Sequence, residues 1–415
     1  VHRRNFLHLL PPALAAALAS CSSPGSRLAF PGTSSFALGI DVLAASGFAA
    51  LRNQRVGLIT NQTSVNGRGV PSRVVLQRAL GRNLTTLFTP EHGLDGREPA
   101  GFKVQSRRDP LTGLTAWSLY GDTRKPSPRM LANVDVVLFD LQDIGSRSYT
   151  YISTMALAME ACAENRRAFM VLDRPNPIGG NRVQGPPLNP RWKSFVGQIP
   201  VPYLHGMTAG ELARMGNARG WWKARPALRV VPMHGWKRSM VWRDTGLRWT
   251  PTSPNIPHPE SPLYYAATGI LGGLDGVDIG IGTPHPFEFA GGKGIDPHRF
   301  AADLSALRLP GVRFHPYHSQ KKPGFAGVRL SIDPRGSTDL IALAVILTSE
   351  VVRRSSGLPL RQSTGDTRTL FHKVWGSDNL WLTLNSRTPA NRIIAGFQSY
   401  ARSFAAARQP FLIYS

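Results

Sequence analysis

Leu84-Thr85-Thr86-Leu87-Phe88-Thr89-Pro90-Glu91-His92-Gly93 changes character midway. The stretch through Thr89 is apolar or β-branched, as a buried strand requires. Pro90 then removes a ladder donor, and a carboxyl, an imidazole and a glycine follow at once. The same transition recurs along the chain. Arg55 to Thr60 runs into Asn61-Gln62, Val134 to Asp140 into Leu141-Gln142-Asp143, and Phe169 to Asp173 into Arg174-Pro175-Asn176-Pro177, with a further strand at Arg229 to Met233. Helical spacing fills the intervals at Ser72 to Leu80, Ser148 to Asn165 and Thr208 to Ala218. Strand, helix, strand predicts a doubly wound α/β layer with right-handed crossovers. Such sheets bind ligands outside the carboxyl ends of their strands, so four polar loops are expected to converge on one rim.

Beyond Trp249 the texture changes. Pro251-Thr252-Ser253-Pro254-Asn255-Ile256-Pro257-His258-Pro259 can hold neither a regular helix nor a central strand and reads as a shaped loop. Strands near Val312 to Phe314 and Gly327 to Ile332, with helices near Asp339 to Arg353 and Ala390 to Ala406, predict a second α/β domain. The division is placed at residues 37–240 and 241–415.

With 415 residues, 42% hydrophobic and 18% charged, the chain has material for two domains and is neither disordered nor integral to a bilayer. Its 49 Lys plus Arg against 25 Asp plus Glu give a net charge of +24, a field directed at some polyanion. Nucleic acid, anionic lipid and anionic cell-wall polymer all satisfy that field.

The N-terminus narrows the choice. Arg3-Arg4 precedes Phe6-Leu7 and a short apolar stretch through Leu18, like a twin-arginine export signal, and Leu18-Ala19-Ser20-Cys21 looks like a lipobox with Cys21 as the lipidated residue. Residues 1–21 are therefore expected to be a lipoprotein signal and 22–36, rich in Ser, Gly and Pro, a tether. A periplasmic or cell-envelope lipoprotein is the implied location, held to a membrane at Cys21, and nucleic acid is not expected as a partner. Cys162 is then the second of two cysteines, without a disulfide partner, and its place in an apolar helix reads as a core thiol.

Glu91 is the leading catalytic candidate, because a dry cleft at the sheet rim would raise its pKa and make it a general acid at neutral pH. Its competing reading is a loop carboxylate in a surface ion pair. His92 is open to three roles: metal ligand, orienter of Glu91 or sugar contact. No His-x-x-x-His or Cys/His cluster accompanies it, so no metal and no cofactor are expected. Asp140, Gln142 and Asp143 supply two carboxylates at i and i+3, of which at least one is expected to serve turn formation or capping. Arg147 and Arg174 suit either a ligand carboxylate or an internal brace. Of Tyr149 and Tyr151, one is expected in the core. Thr208 and Glu211 have capping-box spacing, and His205 is a candidate for the cleft. Gly282 to Glu288, holding His285, is expected to close over the rim. No Gly-x-Gly-x-x-Gly or Gly-Lys-Ser loop supports a nucleotide, and no Gly-x-Ser-x-Gly elbow supports serine hydrolysis.

In this order the blocks Gly57-Leu58-Ile59-Thr60-Asn61-Gln62-Thr63, Pro90-Glu91-His92-Gly93-Leu94, Ser118-Leu119-Tyr120-Gly121, Phe139 to Gly145 with Arg147 and Tyr149-Thr150-Tyr151, Leu172 to Pro177, His205-Gly206-Met207-Thr208 and Ser253 to Pro257 closely resemble the exo-β-N-acetylmuramidases of the NamZ type. The resemblance implies a Rossmann-like N-terminal domain, a smaller C-terminal α/β domain and an active site in the cleft between them. It implies an exo-acting glycoside hydrolase that releases terminal N-acetylmuramic acid from the non-reducing ends of peptidoglycan fragments. Glu91 carries over as the acid, with Asp143 or Asp140 as second carboxylate. Asn61, His92, Gln142, Arg147, Tyr149, Asp173, Arg174, Asn176, His205 and Asn255 carry over as substrate contacts. Where many members have Glu-Gly-Thr-Asn followed by Gly-Arg-Gly-Thr, this chain has Gly272-Gly273-Leu274-Asp275 and Gly280-Ile281-Gly282-Thr283, which bears on substrate preference. A non-catalytic peptidoglycan-binding lipoprotein is the alternative.

Overall fold

A computed structural model describes residues 36–415. The expected export signal, Cys21 and nearly all of the tether lie outside them. Seven strands form the first sheet: β1 (Val56–Ile59), β2 (Leu84–Thr89), β3 (Arg107–Arg108), β4 (Thr115–Ser118), β5 (Val136–Phe139), β6 (Ala168–Leu172) and β7 (Leu228–Val231). Their order is β3-β4-β2-β1-β5-β6-β7, parallel except for β3 against β4. Setting β3 aside, this is the 3-2-1-4-5-6 order of dinucleotide-binding sheets, built without their glycine loop. The edge pair β3 and β4 was not foreseen; β3 is fully exposed and β4 is short, so neither leaves a buried apolar run.

Side chains alternate across this sheet, and the alternation sorts them into two cores. Val56, Leu58, Leu87, Val136, Leu138, Met170 and Leu172 face the helices Gly39–Ala45 and Ser72–Leu80. Ile59, Phe88, Val137, Phe139, Phe169 and Val171 face the helices Tyr151–Glu164 and Ala209–Arg219. Cys162 is buried in this second core, where burial pushes its thiol up to about 12. Thr208 and Glu211 form the expected capping box: Glu211 N donates to Thr208 Oγ1 at 3.2 Å, and Thr208 N to Glu211 Oε2 at 3.1 Å.

The second sheet is antiparallel, with β8 (Val277–Asp278), β9 (Phe289–Lys293), β10 (Val312–His318) and β11 (Phe325–Ile332) in the order β10-β11-β9-β8. The helices Leu340–Arg354 and Ala390–Ala407 form as expected, and Ile393, Phe397, Ala401 and Phe404 line the buried stripe of the latter. Val328, Phe300, Trp375 and Phe397 belong to the same continuous core as Ile59 and Phe139, so apolar packing runs unbroken from one sheet to the other.

Arg147 clamps the two halves together. It is 0% exposed, its Nη1 donates to the carbonyls of Pro186 (2.8 Å) and Val201 (2.9 Å), and its Nη2 donates to the carbonyl of Trp375. Burial lowers its pKa to about 10, which still leaves it cationic at neutral pH. Gly376, at φ 87°, makes room: a Cβ there would sit 2.4 Å from Arg147 Nη2. The chain end returns to the first domain, with Ile413 N donating to Glu211 Oε1 (2.9 Å) and Tyr414 Oη to Asp173 Oδ2 (2.6 Å).

Replacing Arg147 with Met is expected to strand three buried carbonyls and to lower unfolding free energy by about 3 kcal/mol or more, read from urea denaturation. A loss below about 0.5 kcal/mol would show that the clamp contributes little.

Candidate active site

The chain reverses direction across the sheet at β1, which pairs with β2 on one side and β5 on the other. The crevice at such a switch point is where loops diverge and leave room for a ligand. Glu91 enters it from the end of β2. His92 and Gly93 follow at φ 70° and 73°, consecutive left-handed residues that turn the chain sharply and leave Glu91 only 6% exposed. Both its oxygens are held: Gly101 N donates to Oε1 at 2.8 Å and Thr150 Oγ1 to Oε2 at 2.6 Å. The surface ion pair that competed for Glu91 is absent among the described residues. Tyr120, from the end of β4, faces the same carboxyl; burial first and the Glu91 charge second keep its phenol protonated far above neutrality. His92 is turned to the approach segment, its Nδ1 lying 2.7 Å from the carbonyl oxygen of Glu98.

The two aspartates after β5 have separate surroundings. Asp140 is 0% exposed and its Oδ1 accepts from Arg174 Nε at 2.6 Å. Arg174 Nη2 also donates to the Val65 carbonyl at 2.8 Å, so this guanidinium is an internal brace and not an open fork. Asp143 is 9% exposed. Its Oδ2 accepts from Gly145 N at 2.7 Å, while the buried Oδ1 has no protein partner. Burial, opposed by the backbone donors of Gly145 and Ile144, raises the Asp143 pKa to about 7. Gln142 bridges outward from this loop, its Nε2 donating to the carbonyls of Asp143 and Pro175, both at 2.8 Å.

Several residues assigned to the substrate are engaged elsewhere. Asn61 donates to Tyr151 Oη (2.8 Å) and accepts from Thr63 N (2.9 Å) and Thr63 Oγ1 (2.6 Å). Asp173 accepts from Gly210 N, Thr208 Oγ1 and Tyr414 Oη at 2.9, 2.7 and 2.6 Å, fixing a helix start and the chain end; burial lifts its pKa to about 6. Asn176 donates to the Met207 carbonyl at 3.2 Å. His205 is buried with Nδ1 accepting from Met207 N at 3.1 Å, and burial, reinforced by Arg408 and Arg147, lowers its pKa to about 3 and keeps it neutral. Arg147 is the clamp described above, closed to a ligand by its three carbonyls.

The proline-rich loop lies across this rim. Gln62 Nε2 donates to the Pro251 carbonyl at 2.8 Å, Tyr149 Oη to Thr252 Oγ1 at 2.8 Å, and Tyr151 Oη to the Thr252 carbonyl at 2.6 Å. Asn255 sits half-buried further along the same loop. One of the two tyrosines was expected in the core; both are buried there, Tyr151 opening the helix Tyr151–Glu164 and Tyr149 lying in the turn before it. Their rings meet edge to face at 4.9 Å and both hydroxyls converge on Thr252. From the second half, Phe287 backs Tyr265 at 5.0 Å, and Tyr265 Oη reaches Ser148 Oγ at 2.9 Å. His285 and Glu288 instead gather on Arg329, whose Nη2 lies 2.8 Å from Glu288 Oε2.

Three contributors were missed: Tyr120, Thr150 and the Gly101 amide. Tyr120 and Thr150 stood in quoted blocks at strand and helix ends, a positional signal that side-chain type alone did not convey. Gly101 carried none.

Residues 56–260 match the N-terminal domain of the exo-beta-N-acetylmuramidase NamZ family, and residues 263–414 match its C-terminal domain. The chain belongs to the NamZ family. It is 40% identical over 404 residues to the peptidoglycan beta-N-acetylmuramidase NamZ of Bacillus subtilis, covering 95% of each chain. It is also similar to two crystal structures of DUF1343 family proteins from Bacteroides fragilis. One is 37% identical with a TM-score of 0.85, the other 26% with 0.66, and each comparison covers 92% of this chain and 99% of the other. The two-domain α/β architecture expected from the sequence is the architecture of this family.

With a folded pKa of about 7 against an ordinary value of 3.8, Asp143 holds its proton more tightly when folded. Both states are protonated below pH 3.8. Between there and pH 7 the unfolded chain ionises first, so stability falls as pH rises, and the penalty is complete above pH 7. Relative to Asp143→Asn, the wild type is expected to lose up to about 1.4 kcal/mol per pH unit across that window in chemical denaturation. Parallel stability profiles would refute the raised pKa.

Proposed function

We propose that this chain hydrolyses the β-glycosidic bond of terminal N-acetylmuramic acid at the non-reducing ends of peptidoglycan fragments. The observation that carries this reading is the Glu91 carboxyl: buried at the switch point and held at both oxygens, in a chain related to a peptidoglycan beta-N-acetylmuramidase along nearly its whole length. A general acid must give its proton to the leaving oxygen and end as a carboxylate. The donors from Thr150 and Gly101 hold both carboxyl oxygens in one orientation, as delivery of a proton to a fixed leaving oxygen requires. Asp143 is the partner carboxyl in this reading. Each aspartate keeps one buried oxygen without a protein partner, but Asp140 is ion-paired to Arg174, whereas Asp143 has no cation on it and a pKa raised by burial to about 7, suited to a base or nucleophile opposite the acid.

The enzyme works, in this proposal, as a lipoprotein of the cell envelope. Arg3-Arg4-Asn5-Phe6-Leu7 and Leu18-Ala19-Ser20-Cys21 support export and lipidation at Cys21, and the basic body suits an anionic wall polymer. No helix among the described residues is long and apolar enough to cross a membrane.

Release of N-acetylmuramic acid from a chromogenic muramoside tests the reading. Wild type is expected to turn it over, and Glu91→Gln to lower kcat by about 100- to 10,000-fold with the fold intact by circular dichroism. Binding of the muramoside by wild type without turnover would instead identify a wall-binding lipoprotein.

A further inference from the structure

The muramic sugar of the proposed substrate carries a lactyl ether whose carboxylate is ionised at neutral pH, and the two arginines first considered for it are occupied. Arg147 lies under three carbonyls and Arg174 braces Asp140. A third arginine stands at the mouth of the Glu91 site. The loop after β4 runs Tyr120-Gly121-Asp122-Thr123-Arg124-Lys125. It is shaped by a Thr123 turn, in which Thr123 Oγ1 donates to the Lys125 carbonyl (2.6 Å) and accepts from Lys125 N (3.1 Å). Lys125 is drawn to the helix Tyr151–Glu164, where its ammonium contacts Glu160 and Glu164, each at 2.7 Å. That anchor ties the loop to the helix, while Arg124 turns to the rings of Tyr120 and Phe195.

Its guanidinium lies 3.5 Å over the Tyr120 ring and 5.3 Å from the centre of Phe195, whose ring is 5.5 Å from that of Tyr120. Nη1 donates to the Gly121 carbonyl at 3.2 Å. Among the described residues Arg124 forms no ion pair with a carboxylate, although the neighbouring Lys125 has two. The guanidinium also meets the Tyr120 hydroxyl, and stacking leaves its remaining N–H donors at the edge, from which a guanidinium recognises a carboxylate. Arg124 is half-buried against two rings, so such bonds would form partly out of water, where they are stronger. Tyr120 supports the arginine on one side and faces Glu91 with its hydroxyl, which places the fork one residue away from the proposed acid.

We infer that Arg124, stacked on Tyr120 and Phe195, is the residue that recognises the lactyl carboxylate and so selects muramic over glucosamine termini. The inference rests on the muramidase reading above and names its specificity determinant.

The test compares two chromogenic substrates with the same leaving group, a muramoside and the same muramoside methyl-esterified at its lactyl carboxyl. Wild type is expected to favour the free acid by about 10- to 100-fold in kcat/KM, chiefly through KM, as the loss of a charge-assisted pair dictates. Arg124→Ala should bring that ratio close to one. Arg124→Lys, which keeps a point charge without the fork, should leave an intermediate ratio. A merely structural defect lowers both substrates together and preserves the ratio, so a wild-type ratio in both variants overturns the assignment. Failure of the wild type on both substrates overturns the muramidase reading itself, a result distinct from normal turnover with an unaltered ratio.

Discussion

A buried charge without a partner costs several kcal/mol, and the ion pair between Asp140 and Arg174 answers that constraint at the centre of this molecule. Asp140 ends β5 and Arg174 follows β6, so the pair joins two rim loops, and the further bond from Arg174 to Val65 adds the loop after β1. Three loops that would otherwise diverge from the sheet are held to one another by direct contacts. The segment from Asp143 to Thr150 grows from this fixed point, and Thr150 in turn holds Glu91 from the loop after β2. The position of the proposed acid is thus set by a pair of residues that do not touch it.

The same economy explains why so many polar residues at the rim are closed to a ligand. An open parallel sheet exposes loops whose amides and carbonyls must be satisfied once a second domain covers them. Asn61, Gln142, Asp173, Asn176 and Arg147 supply those bonds, and Tyr149, Tyr151 and Gln62 use theirs to hold the proline-rich loop in place. In the proposed reading the chemistry falls to Glu91 and Asp143 and the recognition of the substrate carboxylate to Arg124.

The strands and the convergence of their loops were legible in the sequence because burial on both faces of a parallel sheet writes itself as apolar runs, and because a strand end beside Pro or Asp is unambiguous. The direction of a loop side chain has no such period. Arg147, four residues after Asp143, and Arg174, directly after Asp173, look alike on paper, yet one enters a pocket of carbonyls between domains and the other pairs with a neighbouring loop. Tyr149 and Tyr151 look like two residues of one helix until the turn at Tyr149 frees the first to meet the same threonine. Arg124 carried no motif at all. Its role depends on Phe195, distant in sequence, and on the carboxylates that draw Lys125 away.

Charge is arranged at two ranges. The chain as a whole is strongly basic, and that field acts over about a Debye length, roughly 8 Å at physiological salt, without distinguishing one anion from another. Inside the rim, Glu91, Asp140, Asp143 and Asp173 are all buried, and of the four only Asp140 has an ion-pair partner among the described residues. In the proposed reading an anionic sugar must keep its carboxylate clear of those carboxyls that are ionised. A cation at the mouth, separated from Glu91 by the Tyr120 ring, reconciles the two ranges, because it anchors the negative group of the substrate while leaving the glycosidic oxygen to the acid. In the proposed reading selection and chemistry fall to different residues on adjoining loops, so that a change at the arginine would act on preference without displacing the carboxyl.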